Sequence, residues 1–176
     1  PGYKLPPDAK LADRLRCQLC RRADADGTVD ALAVDSSTLY VGGDFSMIGG
    51  QQRSRVAKLY TADGQVTPWN PGCNARVSSI LLSSTAVYVA GLYFDTVAGA
   101  TRHSLAAISP LTGMATNWDP NCDGGVYALV QYGSSIFAGG GYSRVGGQNR
   151  ASLAELDVSS GAATSWAPEL DQDAFS

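Results

Sequence analysis

The chain has 176 residues, 44% of them hydrophobic and only 16% charged, with a formal net charge of -3. This balance excludes bulk disorder, and no apolar run approaches the roughly 20 residues of a bilayer-spanning helix. Residues 1–22 carry a net +4 and the remainder -7, so the lysine-poor body excludes sequence-independent nucleic-acid binding, which runs on phosphate neutralisation.

In chain order, the first segment is residues 1–26. It opens on Pro1 without an initiator Met and reads as a processed or truncated product. Pro6-Pro7 stops the chain before Asp8–Arg22, where Asp8 suits an N-cap, Leu11, Leu15 and Leu19 fall at i, i+4 and i+8, and Arg21-Arg22 suit a helix C-terminus. A short helical or irregular linker docking by its leucine stripe is expected, with a basic face for an acidic partner as the alternative.

The rest of the chain reads as strands. Two Glu and three Lys stand against 20 Gly and 8 Pro, a mixture that favours short strands and tight turns over helices. Tyr40-Val41-Gly42-Gly43 recurs as Tyr88-Val89-Ala90-Gly91 and Phe137-Ala138-Gly139-Gly140. Ile48-Gly49-Gly50 recurs as Val97-Ala98-Gly99 and Val145-Gly146-Gly147. Arg53, Arg102 and Arg150 follow three residues later, and Trp69, Trp118 and Trp166 sixteen residues after those, each with Pro at +2. The tryptophans are spaced by 49 and 48 residues, the difference tracing to one insertion within Leu92–Ala98.

Three units are thus expected over residues 27–176, at about 27–72, 73–121 and 122–170, followed by the start of a further one. The first holds strands Val29–Val34, Leu39–Gly43, Val56–Tyr60 and Val66–Trp69, with Asp63-Gly64 as a hairpin turn. The second holds Val77–Leu82, Ala86–Gly91, Leu105–Ser109 and Ala115–Trp118; the third holds Val126–Gln131, Ser135–Gly140, Leu153–Asp157 and Ala163–Trp166. Four antiparallel strands per repeat of roughly 40–50 residues mark a β-propeller blade. The fold class is therefore all-β and propeller-like: three four-stranded blades of an incomplete ring. Sandwiched blades account for the nearly continuous apolar runs in the first two strands. The glycine pairs let backbones converge near the axis, and the tryptophans are expected to wedge between blades as inter-blade core.

Leu39-Tyr40-Val41-Gly42-Gly43-Asp44-Phe45, followed by Ile48-Gly49-Gly50, an Arg, Val56-Ala57 and Trp69-Asn70-Pro71, resembles the "delta-sixty" β-propeller repeat, a domain of unknown function of large surface or secreted proteins. It is also similar to the kelch-like propellers of fungal cortical polarity markers. The likeness covers about residues 27–175, and the second unit departs most, with Gly91-Leu92-Tyr93-Phe94-Asp95. The resemblance implies the fold and no shared active site.

The remaining motifs divide between structure and function. Cys17 and Cys20 form Cys-x-x-Cys, while Cys73 and Cys122 each lie four residues after a Trp. The simplest pairing is Cys17–Cys20 with Cys73–Cys122 in an oxidising, extracellular compartment, against four buried thiols. Arg53, Arg102 and Arg150 read as structural ligands of backbone carbonyls or of a nearby Asp such as Asp44. Alternatively, with Phe45, Tyr93 and Tyr142 in corresponding loops, they form a ligand or partner face for glycans or peptides. No catalytic residue, cofactor or metal is expected. His103 lacks a dyad partner, Gly139-Gly140-Gly141 leads to no helix, and Ala23–Gly27 lacks the Glu of an EF-hand, leaving only a loose calcium site at Asp24 and Asp26.

Three units do not close a ring of four to eight blades. The expected function is therefore a non-enzymatic structural or interaction module of an extracellular or cell-surface assembly, completed by further blades of a longer chain, other subunits or a second copy. A carbohydrate-binding propeller closed by homo-oligomerisation is the alternative.

Overall fold

The computed structural model describes residues 23–168. The expected N-terminal helix, Cys17, Cys20 and the start of a further unit lie outside the described residues. Among the described residues there is no helix. The first unit contains β1 (Thr28–Val34), β2 (Thr38–Asp44), β3 (Met47–Ile48), β4 (Gln51–Gln52) and β5 (Val56–Tyr60). The second contains β6 (Val77–Leu82), β7 (Val87–Gly91), β8 (Thr96–Val97), β9 (Ala100–Thr101) and β10 (Leu105–Ile108). The third contains β11 (Gly125–Tyr132), β12 (Ser135–Gly141), β13 (Arg144–Val145), β14 (Gln148–Asn149) and β15 (Leu153–Asp157).

Each unit is a three-stranded antiparallel sheet, ordered β1-β2-β5, β6-β7-β10 and β11-β12-β15. The fourth strand expected in each unit is reduced to a single bridge: Leu59 with Val66, Ile108 with Ala115, Leu156 with Ala163. The reason is local. Thr67, Thr116 and Thr164 each accept a hydrogen bond at Oγ1 from the N–H two residues on, at 3.2–3.3 Å, which bends the chain away from the ladder. The carbonyls of the same threonines are taken by Arg53, Arg102 and Arg150.

The loop between second and third strands carries a two-stranded ribbon that the sequence pattern does not announce. Gly49-Gly50, Ala98-Gly99 and Gly146-Gly147 all have positive φ at both positions, the geometry of a tight type I′ hairpin turn. These pairs therefore serve the turn, whereas Gly43, Gly91 and Gly140 serve close approach. An extra residue in each first strand (Asp30, Ser78, Tyr127) makes a bulge, and the neighbouring carbonyl occupies the space opposite. A Cβ on Gly43 would lie 2.0 Å from Thr28 O, and one on Gly140 would lie 2.2 Å from Gly125 O.

The sheets stack in chain order, with β1 against β6 and β6 against β11. Tyr40, Val56 and Trp69 of the first unit pack on Val77, Val89, Phe94 and Ile108 of the second. Tyr88, Leu105 and Trp118 of the second pack on Val126, Ile136, Tyr142 and Leu156 of the third. The bulged residues reinforce these junctions. Asp30 takes two hydrogen bonds from the Arg76 guanidinium, at 2.6 and 2.8 Å, and Ser78 Oγ donates to Val126 O at 2.7 Å.

Asp26, Asn74 and Asp123 open the three units in register. Each accepts two successive backbone N–H bonds at Oδ1, from Ser46 and Met47, Asp95 and Thr96, and Ser143 and Arg144. Asp26 is thus occupied in tying down the ribbon, the residue expected as half of a loose calcium site. The Ser46 hydroxyl also donates to Asp26 Oδ2; led by that bond at Asp26 and by the Arg144 amide at Asp123, these interactions hold both carboxyls below the ordinary 3.8. A depressed native pKa means stability that is complete above the unfolded value and lost as pH falls through the native one. The melting temperature is therefore expected to fall as pH drops from about 5 to about 2. Asp26→Asn with Asp123→Asn should fold and show a shallower fall, because Asn74 already performs the role uncharged; thermal melts at pH 7 and pH 3 measure it.

Candidate functional site

The face that one unit turns toward the next is built the same way three times. An aromatic on the second strand meets the Trp edge-on: Tyr40 with Trp69 at 5.5 Å, Tyr88 with Trp118 at 4.9 Å, and Phe137 with Trp166 at 5.3 Å between ring centroids. In the first two units the next unit closes this pair. Trp69 Nε1 donates to Ser109 O at 2.9 Å and Trp118 Nε1 to Asp157 O at 3.1 Å. Both acceptors lie in the turn that carries Gly113 or Gly161, whose missing side chains leave room for the indole: a Cβ on Gly161 would fall 3.3 Å from Trp118 Nε1. Trp69 and Trp118 are accordingly 6% and 5% exposed, while Trp166 is 40% exposed and its Nε1 has no partner among the described residues.

The expectation of inter-blade tryptophan core thus describes the positions of Trp69 and Trp118, and Trp166 stands open. Around it lie half-buried Phe137 and Leu153, with Val130 and Tyr132 exposed on the same sheet. Gly139 has nothing within 4 Å of where a Cβ would point, although Gly42 in the first unit is filled by Val77 and Ile80 of the second. Glu155 also lies on this face, its carboxylate accepting hydroxyl bonds from Ser135 and Thr164, which hold its pKa down. An exposed apolar patch edged by polar groups is the signature of an interaction surface.

The aromatic and arginine residues expected to form a ligand face are placed differently. Arg53, Arg102 and Arg150 fold inward, donating to the carbonyls of Thr67, Thr116 and Thr164 at 2.6–2.7 Å and of Gln52, Thr101 and Asn149 at 2.7–2.8 Å. Asp44 pairs with Arg55 instead, at 3.1 Å. Phe45 and Tyr142 are buried, and their counterpart in the second unit is buried Phe94. Tyr93, expected at that position, belongs to the one-residue insertion: it is 70% exposed with φ 57°.

The Cys73–Cys122 bridge is absent. The two are separate buried thiols, one in each junction. Cys73 bridges Val97 as Ala25 bridges Ile48, so the position wants a small apolar residue and cysteine supplies one. Burial raises both thiols to about 11. In a Cys17→Ser, Cys20→Ser background neither is expected to react with a thiolate-selective reagent at pH 8 until the protein unfolds; rapid labelling of the native state would contradict this.

Repeated antiparallel sheets packed face to face define a β-propeller-type repeat module. The comparisons agree. Residues 38–66 match the family model described as a domain of unknown function (DUF5122) beta-propeller. A solved structure, that of the computationally designed Ika4 protein, matches with a TM-score of 0.54 and 13% identity, over 84% of this chain and 75% of that one. No curated protein matches the sequence.

Proposed function

We propose that this chain is a non-enzymatic structural and interaction module whose third unit receives a further unit of the same repeat, supplied by a longer chain or by another subunit of a surface assembly. One observation carries the reading: the Phe137–Trp166 pair repeats the geometry of two pairs that a following unit covers, yet Trp166 lies open with its N–H unpartnered among the described residues. The incoming unit would offer a turn carbonyl to Trp166 Nε1, as Ser109 and Asp157 do for the earlier tryptophans. An extracellular setting rests on the lysine-poor composition alone, because Cys73 and Cys122 are thiols rather than a bridge and lend it no support. The glycan-binding alternative keeps only exposed Tyr93 of the residues it drew on, because the arginines and the other two aromatics point inward.

Light scattering with Trp fluorescence tests it. The chain alone is expected to associate as its concentration rises, with a blue shift of Trp166 emission. Phe137→Glu or Trp166→Glu should leave a folded monomer. A wild-type chain that stays monomeric throughout sinks the proposal.

A further inference from the structure

Each junction between units opens a groove on the same rim of the molecule, and the two grooves share one frame. Pro71, Cys73 and Gly99 line the first, and Pro120, Cys122 and Gly147 line the second at the equivalent positions. The frame is constant; the charge is not. Ser54, Asn74 and Thr96 in the first groove are replaced in the second by His103, Asp123 and Arg144, and Asn70 beside the first is replaced by Asp119; the first groove's one charged lining residue, Arg55, is tied to Asp44 at 3.1 Å and to Cys73 O at 3.3 Å and gives way to Ser104. The second groove is also larger, about 580 Å³ against about 390 Å³, within the range of small-molecule sites.

The fold does not need those charges. Asn74 makes the two ribbon-tying amide bonds at 3.1 Å with a neutral side chain, just as Asp123 does at 2.8 Å. What Asp123 adds is a second carboxylate oxygen, which has no hydrogen-bond partner among the described residues. The His103 ring and the Arg144 guanidinium likewise have no side-chain partner among them. Asp119 is partly engaged, its Oδ2 lying 3.5 Å from Arg102 NH1 and its Oδ1 accepting from Asn121 N–H at 3.2 Å. Carboxylates, a guanidinium and an imidazole thus surround a floor of buried Pro120, Cys122 and Val145.

We propose that this second groove binds a small dipolar ligand, an amino-carboxylate of about dipeptide size. Asp123 and Asp119 take the ammonium, Arg144 takes the carboxylate through its paired donors with His103 beside it, and the apolar floor takes the side chain. A neutral polyol would bring no charged partner to the free Asp123 oxygen or to the Arg144 guanidinium, which have no hydrogen-bonded ion pair among the described residues, so the dipolar class fits better. The assignment is independent of what docks on the third unit, because the groove lies between units already packed together.

Calorimetry with L-alanyl-L-alanine, its N-acetyl and C-amide forms, and glucose tests it on the full chain. The free dipeptide should bind with a dissociation constant of about 1 mM or tighter, and each blocked form about tenfold more weakly. Grafting the first groove into the second, by His103→Ser, Asp119→Asn, Asp123→Asn and Arg144→Thr, should abolish binding with the melting transition retained. Should the graft fail to fold, Arg144→Thr alone leaves every backbone bond in place and should erase discrimination between the free and amidated dipeptides. The proposal is overturned by no heat up to about 10 mM dipeptide, by equal binding of the blocked forms, by glucose binding in its place, by binding that survives the graft, or by a preference for the free over the amidated dipeptide that survives Arg144→Thr.

Discussion

Replacing Trp118 with alanine is expected to cost about 3–5 kcal/mol of folding stability, whereas Trp166→Ala should cost under about 1 kcal/mol. The same residue type, in the same repeat position and against the same kind of aromatic partner, differs only in what covers it. Trp118 loses its edge-on contact with Tyr88, its hydrogen bond to Asp157 O and its seat over Gly161. The void falls at the junction between the second and third units, inside the cluster that holds them together. Trp166 loses a contact with Phe137 that water already reaches. Trp118→Phe is expected to sit between, at about 1–2 kcal/mol, because the ring volume largely stays and Asp157 O loses a donor. Urea denaturation of the three variants measures this, and similar midpoints for Trp118→Ala and Trp166→Ala would falsify the assignment of unit-to-unit packing to these residues.

The parts of the fold legible in the sequence are those where a residue's role forbids substitution. Trp69 and Trp118 keep their register because an indole both fills the junction and reaches a carbonyl in the next unit, and Trp166 repeats their spacing and their edge-on aromatic pairing. The turn glycines keep theirs because positive φ excludes most residues. Where several residue types do the same job, the pattern misleads. Cys73 and Cys122 look like partners because they are equivalent, but equivalence puts them one unit apart, and their third counterpart is Ala25. Tyr93 aligns in sequence with Phe45 and Tyr142 because the inserted residue is itself aromatic; only its left-handed backbone and the burial of Phe94 separate them. The arginines illustrate a different limit. Their partners are backbone carbonyls fourteen residues away, which carry no sequence signal, so inward and outward guanidinium groups read alike. The charged groove is invisible for a related reason. His103, Asp119, Asp123 and Arg144 stand out only once Ser54, Asn70, Asn74 and Thr96 are known to occupy the same places.

Gly91→Ala is the second substitution with a large expected effect, about 3 kcal/mol or more. Its Cβ would fall 2.0 Å from Arg76 O and 3.2 Å from Phe94 Cδ1. The first of these is backbone, held by the bulge at Ser78 and by the Leu92 N–H that donates to the same oxygen at 3.1 Å, so it has nowhere to move without breaking the β6–β7 pairing. Two other glycines of the repeat pattern supply the controls. Gly139→Ala should be nearly neutral, since nothing lies within 4 Å of the new carbon and Ala90 already occupies the equivalent place. Gly99→Ala meets no neighbour either but keeps φ at +73°, so a loss of about 1–2 kcal/mol is expected from backbone strain alone. The order Gly91→Ala, Gly99→Ala, Gly139→Ala in decreasing cost therefore separates a steric role from a conformational one across two adjacent repeats. A Gly91→Ala protein that melts with the wild type would mean that β6 and β7 do not run as close at the bulge as the stacked sheets require.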